Sequence, residues 1–171
     1  MKKILKKITL KKVIVTLFVI FIVIQAFRID TNNPPVDPAK DFIAVNKPTQ
    51  EVVTILKNAC YDCHSNESVY PWYSNIAPVS WWLKDHINEA RHELNFSEWT
   101  TYPSLKQDKK LRKSIKEIEE GGMPLDSYTW IHKNAILNKV QQKTLTDYLN
   151  SLRTHEADKN KDNHEHEEHR D

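Results

Sequence analysis

The sequence predicts an all-α fold, a small helical domain preceded by one N-terminal membrane helix. Apolar residues recur at helical spacing in four separate segments, no segment alternates as a β-strand does, and no internal repeat occurs. The 171 residues leave room for one modest domain. Charge is mixed along its middle and forms no basic stripe, so we expect no nucleic-acid partner.

The N-terminal segment, residues 1–28, combines a lysine-rich start with the uncharged run "VIVTLFVIFIVIQAF" at 13–27. As a helix this run spans about 22 Å, short of the roughly 30 Å of a bilayer core, so it fits a signal-peptide core or a short anchor. Lys11, Lys12 and Arg28 can extend the span by snorkelling. We predict an uncleaved single-pass anchor, with the lysines in the cytoplasm and the remaining chain outside.

The following residues, 29–48, are rich in Pro, Asn and Asp and predict an extended linker. We expect the domain to occupy roughly 45–153. Its first helix begins after Thr49, the predicted cap, and runs into a cysteine cluster. Pro71 and Pro78 predict a fixed loop over 68–78.

A second helix is predicted from Val79, because apolar side chains follow it at helical spacing. Its predicted inner face consists of Val79, Trp82, Leu83, His86, Ile87 and Ala90.

A third helix is predicted from Ser104 to about Glu120 and a fourth over 138–153. Ser104 with Gln107, and Asn138 with Gln141, have capping-box spacing. The predicted inward residues are Leu111, Ile115 and Ile118 of the third helix, and Val140, Leu145, Leu149 and Leu152 of the fourth. The tail, 154–171, lacks apolar periodicity and is predicted to be a disordered, mostly acidic and His-containing segment.

Both cysteines lie in the stretch "NACYDCHSNES" at 58–68. On one helical turn Cys60, Cys63 and His64 stand at i, i+3 and i+4, so all three share a face. C-x-x-C-H is the pattern of c-type haem attachment, with two thioether sulfurs and a histidine ligand to iron.

Three other interpretations of the cluster remain open. A zinc site needs four ligands, usually from a second Cys or His pair at short spacing, and none follows. A thioredoxin-like dithiol belongs to a βαβ context. A plain disulfide would close only a very short loop and would leave His64 without a role.

Met123 is the predicted distal ligand, because Met1 is the only other methionine. The two glycines of the chain, Gly121 and Gly122, directly precede it, and Pro124 follows. This pattern predicts a helix end with a left-handed glycine and a turn that projects Met123. A core methionine is the alternative.

His86, His92 and His132 are other candidates for the sixth iron position. Four aromatic residues after the cluster, Trp72, Tyr73, Trp81 and Trp82, are predicted to cover the haem or to fill the small core. A backbone carbonyl near Ala77–Pro78 is the predicted partner of His64 Nδ1.

With these motifs, the chain resembles the haem-binding-domain family of bacterial exported proteins, a group related to cytochromes c. The resemblance rests on "CYDCHSNES", "YPWYSNIAPVSWWL", "NEARHELNFSEW" and "EIEEGGMPLDSYTWIH". It implies one covalent haem c attached through Cys60 and Cys63, with His64 and Met123 as iron ligands. It supplies no substrate.

We therefore expect a monohaem c-type cytochrome in the inner membrane with its domain in the periplasm. It would exchange single electrons with periplasmic or membrane redox proteins and would have no catalytic residue. The competing hypothesis is a haem sensor or peroxidase-like enzyme with an open or displaceable sixth ligand. A zinc or dithiol module is the third.

Overall fold

The computed structural model describes residues 10–155 and 158. Within that part of the chain every regular element is helical and none is a strand, so the all-α prediction is confirmed. The longer helices are α1 (Leu10–Ile24), α3 (Gln50–Ala59), α5 (Val79–Glu93), α6 (Ser104–Glu119) and α8 (Lys139–Ser151). The single-turn helices are α2 (Phe42–Asn46), α4 (Tyr61–His64) and α7 (Asp126–Thr129), with 3₁₀ turns at Trp72–Asn75, Phe96–Thr101 and Lys133–Ala135.

The chain divides into two compact units. One contains the chain up to Asn32 together with Tyr70–His86, and the other contains Asn33–Val69 and the chain from Ile87 onward. The predicted haem-attachment residues and Met123 all fall in the second unit. That unit is therefore the one that positions the candidate site.

The first unit contains α1. Hydrogen bonds between side chains and backbone groups join its two stretches of chain. Gln25 exchanges two hydrogen bonds of 3.0 Å with the backbone of Ala77, and the Trp81 indole donates to Phe27 O. The α1 helix has no buried residue, although nearly all its side chains are apolar. Among the described residues, no helix combines the length and the apolar character needed to cross a bilayer.

The second unit is held by one hydrophobic core to which α3, α6 and α8 contribute. At its centre Phe42, which is 0 % exposed, packs against Phe96, Trp99 and Tyr148 with ring centroids 4.9 to 6.4 Å apart. Large aromatic rings fill the limited interior that a short chain can build.

The predicted extended linker, residues 29–48, is wrong at its C-terminal end, because the short helix α2 forms there. The Asp41 carboxylate accepts hydrogen bonds from the backbone N–H groups of Ile43 and Ala44, at 2.9 and 3.1 Å. An aspartate at this cap position stabilises a helix start. The cap places Phe42 in the core, so this part of the chain belongs to the folded unit.

The first predicted helix is confirmed as α3, with Thr49 Oγ1 accepting from Val52 N at 3.4 Å. The second is confirmed as α5, but its predicted face is only partly right. Leu83 and Ile87 are buried, whereas Val79 and Trp82 are 44 % and 46 % exposed. The loop predicted over 68–78 is confirmed except for its 3₁₀ turn.

The third predicted helix is confirmed as α6, but its predicted capping box is wrong. Pro103 occupies the cap position, and the Gln107 amide donates to the carbonyls of Trp99 and Tyr102 instead of turning back to Ser104. Gln107 therefore closes the preceding 3₁₀ turn.

The fourth predicted helix is confirmed as α8, and its capping box between Asn138 and Gln141 is present in both directions, at 2.9 and 3.0 Å. Leu145 and Leu149 are buried as predicted, whereas Val140 is 70 % exposed. Val140 lies in the first turn of the helix. The tail prediction for 154–171 lies almost entirely outside the described residues.

Candidate functional site

The C-x-x-C-H motif forms a single helical turn. Cys60 ends α3, with its N–H bonded to Leu56 O at 2.9 Å, and also begins α4. Its carbonyl accepts from the N–H groups of Cys63 and His64, at 3.2 and 2.9 Å. The predicted i, i+3, i+4 arrangement is therefore present in the backbone.

Both cysteines are free thiols and half-buried. Burial, with a smaller contribution from Cys63, raises the pKa of the Cys60 thiol to about 12. Burial and the neighbouring Asp62 raise the pKa of the Cys63 thiol to about 11, although Arg91 opposes the shift. The thiolate is the nucleophile and zinc ligand, so both groups are poor nucleophiles in the folded chain.

The ring of His64 is oriented by two backbone carbonyls. Its Nδ1 lies 3.0 Å from Ala90 O and 3.0 Å from Leu94 O. Because carbonyl oxygens only accept, Nδ1 carries the proton and Nε2 of the neutral ring keeps its lone pair. Burial lowers the pKa of His64, although the two carbonyls oppose that shift.

The predicted partner of His64 near Ala77–Pro78 is wrong. The carbonyls that replace it lie at the C-terminal end of α5. Leu94 follows the last residue of the helix, and its own N–H bonds Ala90 O at 2.8 Å. An orienting carbonyl on the second ring nitrogen is the usual arrangement for a metal-binding histidine.

The two spacer residues of the motif attach the turn to the rest of the unit. The buried Tyr61 ring stacks on Phe96 at a centroid distance of 5.2 Å, and its hydroxyl donates to Asp41 Oδ2 at 3.1 Å. Asp62 accepts from Val69 N at 3.2 Å and from the Tyr128 hydroxyl at 2.6 Å. Neither role was predicted from the sequence.

Arg91 supports the chain directly after the turn. Its guanidinium donates to Ser65 O at 2.8 Å, and to Ser68 Oγ and Asn33 Oδ1 at 2.9 Å. Since Arg91 lies in the last turn of α5, beside Ala90, the same helix end orients His64 and holds the segment that follows it.

Met123 lies in the predicted type of turn. Gly121 has a φ of +76°, the left-handed conformation that ends α6, and Met123 N–H donates to Glu117 O at 3.1 Å. The methionine side chain is half-buried. The turn is therefore confirmed, whereas iron ligation by Met123 remains a prediction.

The other histidines have neighbours of their own. His86 is in the first unit, where its Nδ1 bonds Trp82 O at 2.9 Å. His132 stacks on Tyr128, and His92 is exposed beside Glu89 and Glu93. The aromatic residues predicted to cover the haem, Trp72, Tyr73, Trp81 and Trp82, also lie in the first unit.

The donor atoms of the turn fit a covalent haem better than zinc. Two reduced thiols and an imidazole with a free Nε2 lone pair are the groups that thioether attachment and iron ligation require. Within the described residues, only Glu89, His92 and Glu93 bring three metal-ligand atoms within 4.8 Å of one another. Cys60, Cys63 and His64 do not converge as a zinc site needs.

A model of the haem-binding domain family matches residues 19–151. The comparisons with curated proteins and with solved structures give no match. The matched range includes the C-x-x-C-H turn, the end of α5 that orients His64, and the Met123 turn.

Proposed function

Because this chain belongs to the haem-binding domain family, it is a haem-binding protein, and we propose that it is a monohaem c-type cytochrome that transfers single electrons. The observation that carries the proposal is the orientation of His64. Two carbonyls hold the proton on Nδ1 and leave the Nε2 lone pair available, beside two free thiols on the same turn.

Four side chains would hold the haem. Cys60 and Cys63 would supply the two thioether sulfurs, and His64 Nε2 and the Met123 sulfur would ligate the iron. Bound haem supplies reversible one-electron oxidation and reduction, and a His/Met ligand pair raises its reduction potential. The Ala90 and Leu94 carbonyls fix the histidine tautomer and increase the basicity of Nε2.

The proposed location is the periplasmic side of the bacterial inner membrane, with periplasmic or membrane redox proteins as partners. Four lysines precede the apolar helix α1, at positions 2, 3, 6 and 7, and Lys11 and Lys12 lie in its first turn. This charge pattern favours an N-terminus retained in the cytoplasm and an exported domain. The exposed apolar side chains of α1 agree with insertion into lipid.

Intact mass of the denatured chain tests the haem attachment. After export together with a cytochrome c maturation system, the chain should carry one haem through denaturation. The Cys60→Ala/Cys63→Ala variant is the matched control and should have the bare polypeptide mass. A bare mass for the exported parent chain would overturn the cytochrome proposal.

Carbon monoxide binding tests the distal ligand. With Met123 on the iron, the ferrous protein should bind carbon monoxide slowly, and Met123→Ala should bind it fast. Fast binding by the parent chain would instead support a haem sensor or peroxidase-like enzyme with an open sixth position.

Fractionation of a bacterial host tests the location. The haem-containing chain should sediment with membranes, stay there in high salt, and be digested by protease only after the outer membrane is opened. Recovery of haem-containing chain from the soluble periplasm would contradict an anchor and support a cleaved signal peptide.

A further inference from the structure

A tyrosine connects the Met123 segment to the haem-attachment turn. The Tyr128 hydroxyl lies 2.6 Å from Asp62 Oδ2 and 3.4 Å from Asn58 O. Asp62 is the residue between Cys60 and Cys63 that directly precedes Cys63, and Tyr128 lies five residues after Met123. One hydrogen bond therefore links the segments that supply the proposed proximal and distal ligands.

Tyr128 is itself held firmly within its segment. It lies in α7, where its N–H donates to Leu125 O at 3.0 Å and its carbonyl accepts from His132 N at 3.0 Å. Its ring stacks on the His132 imidazole with centroids 4.2 Å apart and an interplanar angle of 11°. A change at the hydroxyl therefore acts on the whole segment.

Asp62 is equally fixed. Its second carboxylate oxygen accepts from Val69 N at 3.2 Å, and its carbonyl accepts from the Ser68 hydroxyl. A hydroxyl bound to a carboxylate forms a shorter and stronger bond than one between neutral groups. The Tyr128–Asp62 bond has the short length expected of such a pair.

The Met123 turn is thus attached at both ends. On its N-terminal side the Met123 N–H bonds Glu117 O at 3.1 Å, which fixes it to α6. On its C-terminal side the Tyr128 hydroxyl bonds Asp62 at 2.6 Å. Of the two attachments, only the second leads to the haem-attachment turn.

We propose that Tyr128 is a positioning residue for the distal ligand, which it keeps in register with the haem-attachment turn through its bond to Asp62. This inference rests on the proposed function, because it assumes that Met123 ligates the iron. Asp62 then has a second task in the motif, since the residue beside the attachment cysteine also holds the opposite ligand segment.

The test compares Tyr128→Phe with the parent haem-containing chain. Phe keeps the ring on His132 and removes only the hydroxyl. Carbon monoxide should bind the ferrous variant about tenfold faster, the factor that corresponds to about 1.4 kcal/mol of lost Met123 ligation. The ferric variant should lose part of its sulfur-to-iron absorption band, and its reduction potential should fall.

Tyr148→Phe is the matched control, because it removes another half-buried hydroxyl that bonds a backbone carbonyl in the same unit, Asn46 O at 3.5 Å. It should leave the band and the carbon monoxide rate unchanged. Asp62→Asn keeps an acceptor for Tyr128 and should give a smaller effect. Asp62→Ala should reproduce Tyr128→Phe, and the two changes together should not add.

Hydrogen exchange in a haem-free chain distinguishes a local effect of Tyr128 on the Met123 turn from a general effect on the stability of the unit. In the Cys60→Ala/Cys63→Ala chain, Tyr128→Phe should accelerate hydrogen exchange at the Met123 amide and leave α8 amides unchanged. Equal acceleration throughout the unit would overturn the positioning role, as would an unchanged carbon monoxide rate in haem-containing Tyr128→Phe when Met123→Ala binds fast. No effect of Met123→Ala itself would instead refute Met123 ligation.

Discussion

The Nδ1 atom of His64 lies 3.0 Å from the carbonyl oxygen of Ala90, in the last turn of α5, and the Leu94 carbonyl lies at the same distance. Both carbonyls fix the neutral tautomer with Nε2 unprotonated. Burial lowers the pKa of the ring, so a second proton is unfavourable in the folded chain. This preference is measurable in protein that carries no haem.

Haem-free protein should lose stability on acidification. The unfolded chain takes up a proton near the ordinary histidine pKa of about 6.5, whereas folded His64, with its lowered pKa, does so only at lower pH. The contribution of neutral His64 to the free energy of unfolding is therefore fully present above about pH 6.5. It is lost as the pH falls toward the pKa of His64 in the folded chain. Urea unfolding of the Cys60→Ala/Cys63→Ala chain at about pH 7.5 and about pH 5.5 measures the change.

His64→Asn in the same haem-free chain is the control for that titration. Its unfolding free energy should depend less on pH over this interval. If the pH dependence of the unfolding free energy were the same in His64→Asn, another titrating group would have to cause it.

The thiols should react slowly in the folded haem-free chain. Because burial raises the pKa of Cys60 to about 12 and that of Cys63 to about 11, very little thiolate exists near pH 8. We expect iodoacetamide to label the native chain at least about tenfold more slowly than the urea-unfolded chain, with Cys60 the slower of the two. Peptide mass spectrometry measures the labelling rate of each cysteine. Equal labelling rates in the native and the unfolded chain would contradict the burial of the two thiols.

The local elements of the fold were predictable from the sequence because they depend on neighbouring residues. Helical spacing identified α3, α5, α6 and α8, and the Asn138–Gln141 spacing identified a capping box that is present. The left-handed Gly121 was predicted from the glycine pair before Met123 and from the proline that follows at position 124. The helix α2 was missed because proline and asparagine around it resemble a linker, although Asp41 before Phe42 was a cap signal.

The connections of the site were not predictable, because they join residues far apart in the chain. His64 meets Ala90, 26 positions away, and Asp62 meets Tyr128, 66 positions away. A periodic pattern identifies an inward-facing residue but not the residue it contacts. The sequence thus predicted the C-x-x-C-H turn but not the groups that orient His64 and hold Asp62.

A buried ion pair should contribute strongly to the stability of the second unit. Arg153 Nε lies 3.0 Å from Asp108 Oδ1, and these side chains are only 8 % and 1 % exposed. Arg153→Met removes the guanidinium from a buried carboxylate and should cost about 3 kcal/mol or more of unfolding free energy. Lys143→Met, which breaks the exposed pair with Asp147, should change stability by less than about 1 kcal/mol. Urea unfolding of both variants measures the two losses. Equal losses of unfolding free energy would show that burial does not strengthen the Arg153–Asp108 pair.

Gly121 should be the more sensitive of the two glycines before Met123. Its φ of +76° is unfavourable for a residue with a side chain, while an added Cβ would meet no atom within 4 Å. Gly121→Ala should therefore cost roughly 1–2 kcal/mol of unfolding free energy through the backbone alone. Gly121→Asn should cost less, because asparagine tolerates this conformation better.

Gly122→Ala is the control for that backbone effect. Gly122 does not adopt the left-handed conformation, and the first atom its Cβ would meet is the terminal Oε2 of Glu117, on a flexible side chain that can move aside. We expect a smaller loss of stability than for Gly121→Ala. The haem-containing Gly121→Ala chain should also bind carbon monoxide faster than Gly122→Ala, because the turn that projects Met123 begins at Gly121. The reverse order would mean that space beside Glu117, and not the backbone conformation of Gly121, determines where the methionine lies.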